Sequence, residues 1–257
     1  MLTKARDIEG FKLNSLDGEF GKVKDFYFDD QYWTIRYLVA ETGTWLPGRE
    51  VLISPYAVTG VNWVEKSVGV RLTKEKIKGS PSPDSDRPIS RQFEGSYYAY
   101  YSWPGYWGGP YNWGASPYIS YAGNGAVSGG GADEEKFDHH LRSARVVTGY
   151  RVKASDGAIG HIEDFIVDDK TWAIRYLVID TRNWLSGRRV LVSPRWIETI
   201  SWADASVSFN VPRETIGRAP EYNSDSSLTR DYEADLHGYY DRRGYWVEEP
   251  VDGLVVI

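Results

Sequence analysis

The sequence predicts an all-β protein made of two small β-barrels in tandem, each followed by an aromatic arm. Three observations carry that prediction: an internal repeat, a succession of short β-rich runs split by turn residues, and the absence of any long apolar stretch. Sliding the 257-residue chain by 139 positions aligns Leu2–Trp107 with Leu141–Trp246 without a gap, at 41 identities in 106 pairs. Roughly one match in fifteen is expected by chance at ordinary composition. Two copies at so long a period mark a duplication rather than a solenoid. The organisation read from the repeat is barrel 1 at 1–80, arm 1 at 81–107, a Gly-rich then acidic linker at 108–140, barrel 2 at 141–219, and arm 2 with a tail at 220–257.

The elements follow in order. Phe20–Phe28 reads as a strand with Phe20, Lys22, Lys24, Phe26 and Phe28 on one face and Val23, Asp25 and Tyr27 on the other. Gly18 suits a turn and Gly21 a bulge. Asp29-Asp30-Gln31-Tyr32 is a turn, followed by a β-rich run at Trp33–Glu41. Trp45-Leu46-Pro47-Gly48 is a loop tip, and Glu50–Ser54 is a strand stopped by Pro55. Ala57–Val64 and Ser67–Leu72 form a hairpin around Glu65-Lys66. Thr73–Lys78 suits one helical turn, and Pro212 in the second copy suits the first position of its twin. Five or six short strands in about 70 residues favour a small barrel, because closure removes exposed edges.

Composition excludes several function classes. Net charge is −6, so binding nucleic acid by phosphate neutralisation is not expected. Each copy is neutral, and the excess lies in Asp133, Glu134, Glu135, Asp138, Glu248, Glu249 and Asp252 against Lys136 alone. With no cysteine there is no disulfide, thiolate metal site or thiol nucleophile. No apolar run approaches 18 residues and the start lacks a signal-peptide core, so direct membrane insertion is not expected and the cytoplasm is the expected location.

The residues held in both copies include Asp17-Gly18, Gly21, Asp25-Phe26, Asp29-Asp30, Trp33, Ile35-Arg36-Tyr37-Leu38-Val39 and Val51-Leu52, then Ser54-Pro55. This pattern resembles the PRC-barrel family. That family includes the cytoplasmic barrel of the photosynthetic reaction-centre H subunit, the barrel of the ribosome maturation factor RimM, and stand-alone prokaryotic proteins. The resemblance covers about 70 residues of each copy. It implies a six-stranded barrel used for protein contacts, with no recognised catalytic site.

Aromatic residues are 15% of the chain and crowd the arms: 12 of the 29 residues from Phe93 to Tyr121 are aromatic. Each ring buries about 150–250 Å² when packed, so leaving them all in water is implausible. Three uses compete: extra core along the same or the sister barrel, exchange between chains to give a homodimer, or an exposed partner surface. The expectation is two barrels related by a pseudo-two-fold, with arms crossing between them.

Candidate sites are few. Trp45, Arg49, Trp184 and Arg188 bracket loop tips and have hot-spot composition. Alternatively each Trp stacks on its own barrel with the Arg over its ring. Tyr100, Tyr101, Tyr106, Trp107, Tyr239, Tyr240, Tyr245 and Trp246 are the arm candidates for partner contact. Asp29-Asp30 and Asp168-Asp169 read as turns rather than acid–base pairs. Arg36 and Arg175, among apolar neighbours, read as structural ion pairs with Asp25 and Asp164 rather than anion sites. Asp138-His139-His140 reads as solvated linker rather than a metal site. No nucleophile motif or phosphate loop is present, so no cofactor, metal or catalytic activity is expected. The function read from the sequence is a non-catalytic cytoplasmic adaptor or scaffold for protein partners. The alternatives are a component or assembly factor of a photosynthetic or other electron-transfer membrane complex, and a small-ligand binder or enzyme with a site between barrels.

Overall fold

The computed structural model describes residues 1–83, 89–107, 140–181, 188–223 and 227–248. Two compact units emerge. The first holds Met1, Thr3–Val146 and Val167–Ile174; the second holds Leu2, Val147–Ile166 and Arg175–Ile257.

In the first repeat the strands are β1 (Leu2–Lys4), β2 (Lys12–Ser15), β3 (Gly18–Asp29), β4 (Thr34–Glu41), β5 (Glu50–Ile53), β6 (Val58–Asn62) and β7 (Ser67–Val70). Pairing runs β5-β4-β3-β2-β7-β6, and β8 (Leu141–Ser143) adds to β3. Every pair is antiparallel except β2–β7. A flat six-stranded sheet would hold its outer strands about 24 Å apart. Here those outer strands are consecutive in sequence, joined by the four residues from Ser54 to Ala57. Five peptide steps reach at most about 18 Å, so the sheet must curl until its edges approach. That is the physical origin of the barrel. The second repeat builds the same path from β9 (Arg151–Ala154), β10 (Gly157–Asp168), β11 (Ile174–Asp180), β12 (Arg189–Val192), β13 (Ile197–Ser201) and β14 (Ser206–Phe209). Its order is β12-β11-β10-β9-β14-β13, with β9–β14 parallel.

β3 does not alternate as the sequence suggested. Val23 is buried alongside Phe20, Phe26 and Phe28. Register slips by one residue between Leu13 and Asn14 opposite Phe20, and again at Lys24, so the faces exchange along the strand. Gly21 is required for another reason. A Cβ there would overlap the carbonyl of Glu41, and the same holds for Gly160 and Asp180. At the turn after β3, Trp33 closes the chain in the left-handed region at φ 51°, and its twin Trp172 does so at φ 61°. Phe28 and Trp33 stack at 5.0 Å between centroids, which helps hold that costly conformation.

The helices α1 (Ala5–Ile8), α2 (Lys74–Lys78), α3 (Arg91–Tyr101), α4 (Ala144–Val147), α5 (Arg213–Gly217), α6 (Arg230–Tyr239) and α7 (Tyr245–Glu248) are short. Thr73 caps α2 by accepting from the Lys76 amide. Pro212 stands one residue before α5 as its cap rather than as its first residue.

The arms are helical. Ser90 caps α3 by accepting from the Phe93 amide, and Thr229 caps α6 by accepting from the Tyr232 amide. Each helix folds back on the barrel of its own repeat instead of crossing to the other. In the first repeat Tyr97 donates to the Leu52 carbonyl at 2.9 Å, and Tyr97 and Tyr37 meet edge to face at 5.2 Å. In the second, Leu236 joins a buried cluster with Ile166, Tyr176, Val178 and Leu191. β4 and β11 are thus covered on both faces: every residue of β11, and every residue of β4 except Glu41, is buried.

Candidate functional site

The most elaborate side-chain chemistry lies where each arm meets its barrel. Glu94 on α3 is 0% exposed. Its Oε1 accepts from the hydroxyls of Tyr37 on β4 at 3.0 Å and Tyr106 at 2.7 Å. Its Oε2 pairs with Arg91 at 3.0 Å and His140 Nε2 at 3.1 Å. Tyr106 lies between two cations, with the Arg36 guanidinium 4.0 Å and that of Arg91 5.2 Å from its ring centroid. Arg36 in turn pairs with Asp29 at 3.1 Å.

The second repeat rebuilds this constellation from the twin residues. Glu233 accepts from Tyr176 and Tyr245, each at 2.9 Å, and pairs with Arg230 at 3.0 Å. Arg175 lies 4.0 Å over the Tyr245 ring. His237, on α6 at the twin position of Tyr98, places Nε2 3.0 Å from the Tyr176 hydroxyl.

A buried carboxylate is tolerable only when its acceptor sites are filled, and both carboxylates meet that condition. Burial, reinforced by the adjacent Glu94, pushes the Tyr37 and Tyr106 phenols far above their usual range, so both remain neutral donors. Burial and Glu233 push Tyr245 up to about 12. The two histidines diverge. For His140, burial opposes the charge, but the hydrogen bond to Glu94 and its charge more than offset that, and the pKa is raised. For His237, burial leads, helped by the charges of Arg195 and Arg230, and the pKa is lowered.

Several sequence expectations are placed differently. Arg36 pairs with Asp29, not Asp25. Asp25 instead accepts from the Phe26 and Arg145 amides. Asp29 also accepts from the Gln31 and Tyr32 amides, and Asp168 from that of Lys170, so both brace turns as expected. His140 is buried and bonded rather than solvated linker. Asp133, Glu134, Glu135, Asp138, His139 and the linker they belong to lie outside the described residues, as do Trp184 and the tail from Glu249. No acidic or histidine group able to hold a metal occurs among the described residues.

The loop-tip arginines hold the barrel together. Arg49 donates to the carbonyls of Lys78, at 2.6 Å, and of Ser80. Arg188 donates to their twins, Gly217 at 3.4 Å and Ala219 at 3.3 Å. Each arginine therefore caps the end of a short helix. Trp45 packs edge to face on Phe20 of its own barrel, with Lys74 rather than Arg49 over its ring at 5.4 Å. It remains half-buried and walls an open groove of about 380 Å³ with Phe20, Lys22, Glu41 and Thr44.

Of the arm candidates, Tyr101 and Tyr106 belong to the interior. Tyr100 and Tyr239 are more open, each donating to a helix carbonyl, Lys76 at 2.9 Å and Thr215 at 2.8 Å. Trp107 and Trp246 are half-buried beneath Arg91 at 4.6 Å and Arg230 at 4.3 Å. Tyr240 and Tyr245 are partly buried. Sequence reasoning missed Glu94, Glu233, Tyr37, Tyr176 and His237 as a set. The available signal was an identical acid in an aromatic context at the 139-residue offset.

The strand path and the repeat sequence point to one family. Residues 133–204 match the family model of the PRC-barrel domain. The second barrel is thus similar to the PRC-barrel domain. The first repeats its strand order and 41 of the 106 aligned residues. No curated protein matches the chain.

Proposed function

We propose that this tandem PRC-barrel protein is a non-catalytic scaffold that binds protein partners through the outer faces of its barrels. The supporting observation is the location of its reactive side chains. The carboxylates, phenols and guanidinium groups capable of chemistry are spent on one another, with Glu94 0% and Glu233 2% exposed. The two carboxylates are too enclosed for a substrate to reach. The polar clusters therefore serve to fix the arm on the barrel, and recognition falls to the surface.

The groove beside Trp45 suits a protein contact. It offers an aromatic wall, Trp45 and Phe20, beside charges of both signs, Lys22 and Glu41. No helix among the described residues is long and apolar enough to cross a membrane. A cytoplasmic location is part of this reading. The test is affinity capture from native lysate at physiological salt with wild type and Trp45→Ala. A reproducible partner retained by wild type and reduced by Trp45→Ala is expected. Recovery of no partner, or of the same partners at equal yield, contradicts the reading.

A further inference from the structure

Three arginines set the second repeat apart from the first. Arg195, Arg242 and Arg243 stand where the first repeat has Tyr56, Trp103 and Pro104. Tyr56 is buried, and Trp103 lies flat on Tyr101 at 4.5 Å, so in the first repeat these positions serve packing. In the second repeat all three arginines are exposed. The fold gathers them around His237. The Arg242 amide donates to the His237 carbonyl at 2.9 Å, and His237 Nδ1 bonds the Arg243 carbonyl at 2.9 Å. Trp196, next to Arg195 in the chain, meets the His237 ring at 5.0 Å.

Two further groups complete this face. Trp246 meets His237 at 5.0 Å and carries the Arg230 guanidinium 4.3 Å from its ring centroid. Burial leads in lowering the His237 pKa, and the charges of Arg195 and Arg230 add to it, so both guanidinium groups act at this ring. The acids here do not cancel the arginines. Glu233 is enclosed and committed to Arg230. Asp241 makes no ion pair with Arg242 or Arg243, and neither of those has an acidic partner among the described residues. A guanidinium can hold a carboxylate through two parallel hydrogen bonds, and Arg beside Trp is hot-spot composition.

We propose that this face docks an acidic segment of a protein partner, whose carboxylates pair with Arg242 and Arg243 in the positive field of Arg195 and Arg230. The inference rests on the scaffold reading and adds to it a second contact face and the chemistry of the partner that fits it. The first repeat, without the three arginines, has no counterpart.

The test is fluorescence anisotropy at low salt, with the purified full chain and a short labelled peptide of alternating Glu and Ala. Wild type should bind this peptide saturably and ignore its Gln-for-Glu counterpart. Arg242→Gln combined with Arg243→Gln changes only exposed side chains and should weaken binding about tenfold. Lys22→Gln combined with Lys66→Gln, on the first repeat, should leave it unchanged. The peptide's carboxylates oppose the arginines, so they should raise the His237 ring-proton midpoint in wild type and leave it in place in the double arginine variant. Absence of saturable binding, equal binding by that variant, or an unmoved His237 midpoint overturns the proposal. Tighter binding of single-stranded DNA or of phosphatidylserine vesicles overturns it too. So does binding that appears only after removal of residues 249–257, because the chain's own acidic end would then be the occupant. If the peptide fails while a Trp45-dependent partner is captured from lysate, this inference falls and the scaffold reading stands.

Discussion

Glu94 has lost all contact with water and is held by four partners: two phenols, Arg91 and His140. Removing one member of such a set leaves the others buried and unsatisfied. Glu94→Ala should therefore cost about 3–5 kcal/mol in urea unfolding, whereas Tyr106→Phe should cost about 1–3 kcal/mol. The histidines give opposite pH responses. His140 has a raised pKa, so its stabilising contribution is complete below the ordinary value of about 6.5 and is lost as pH rises through the raised folded value. Glu94 and Asp29 favour its charged form; burial and Arg91 oppose it. His237 has a lowered pKa, so its contribution is complete above about 6.5 and is lost as pH falls through the depressed folded value. Ring-proton NMR titrations should place the His140 midpoint above, and the His237 midpoint below, that ordinary value. Coincident midpoints would contradict the two environments.

At the scale of elements, each arm helix stabilises its barrel by burying rings on β4 or β11. Tyr97 is 0% exposed, so Tyr97→Ala should cost about 3–5 kcal/mol. Ser90→Ala, which removes the cap of α3, should cost about 1 kcal/mol, measured by thermal or urea unfolding. Most strands were legible because turn residues punctuate them and both copies repeat the punctuation. The arm helices were not. In Tyr97-Tyr98-Ala99-Tyr100-Tyr101 nearly every position is aromatic, so no apolar stripe of helical period stands out, and only the caps Ser90 and Thr229 betray the starts. The partner of Arg36 was misplaced for a different reason. One-residue bulges at Lys24 and Arg36 change which side chains share a face, and a strict alternation cannot anticipate them. His140 was hidden by its acidic neighbours in sequence, although its ring is buried against Glu94.

At the scale of the whole molecule, duplication preserved a complete unit of barrel, arm helix and buried carboxylate. Tyr37 and Tyr176, Glu94 and Glu233, Tyr106 and Tyr245, Arg91 and Arg230 occupy twin positions and make the same bonds. Among the described residues of the first arm, Phe93, Tyr97, Tyr98, Tyr101 and Tyr106 are interior. The half-buried Trp45 is a better marker of the outer face than Tyr101 or Tyr106. The most direct test of this arrangement is a double-mutant cycle in each repeat, Tyr37→Phe with Glu94→Gln and Tyr176→Phe with Glu233→Gln, read by urea unfolding. Arms docked on their own barrels through these carboxylates predict a coupling energy of about 1 kcal/mol or more in both cycles. Additive effects in either cycle would contradict the docking of that arm.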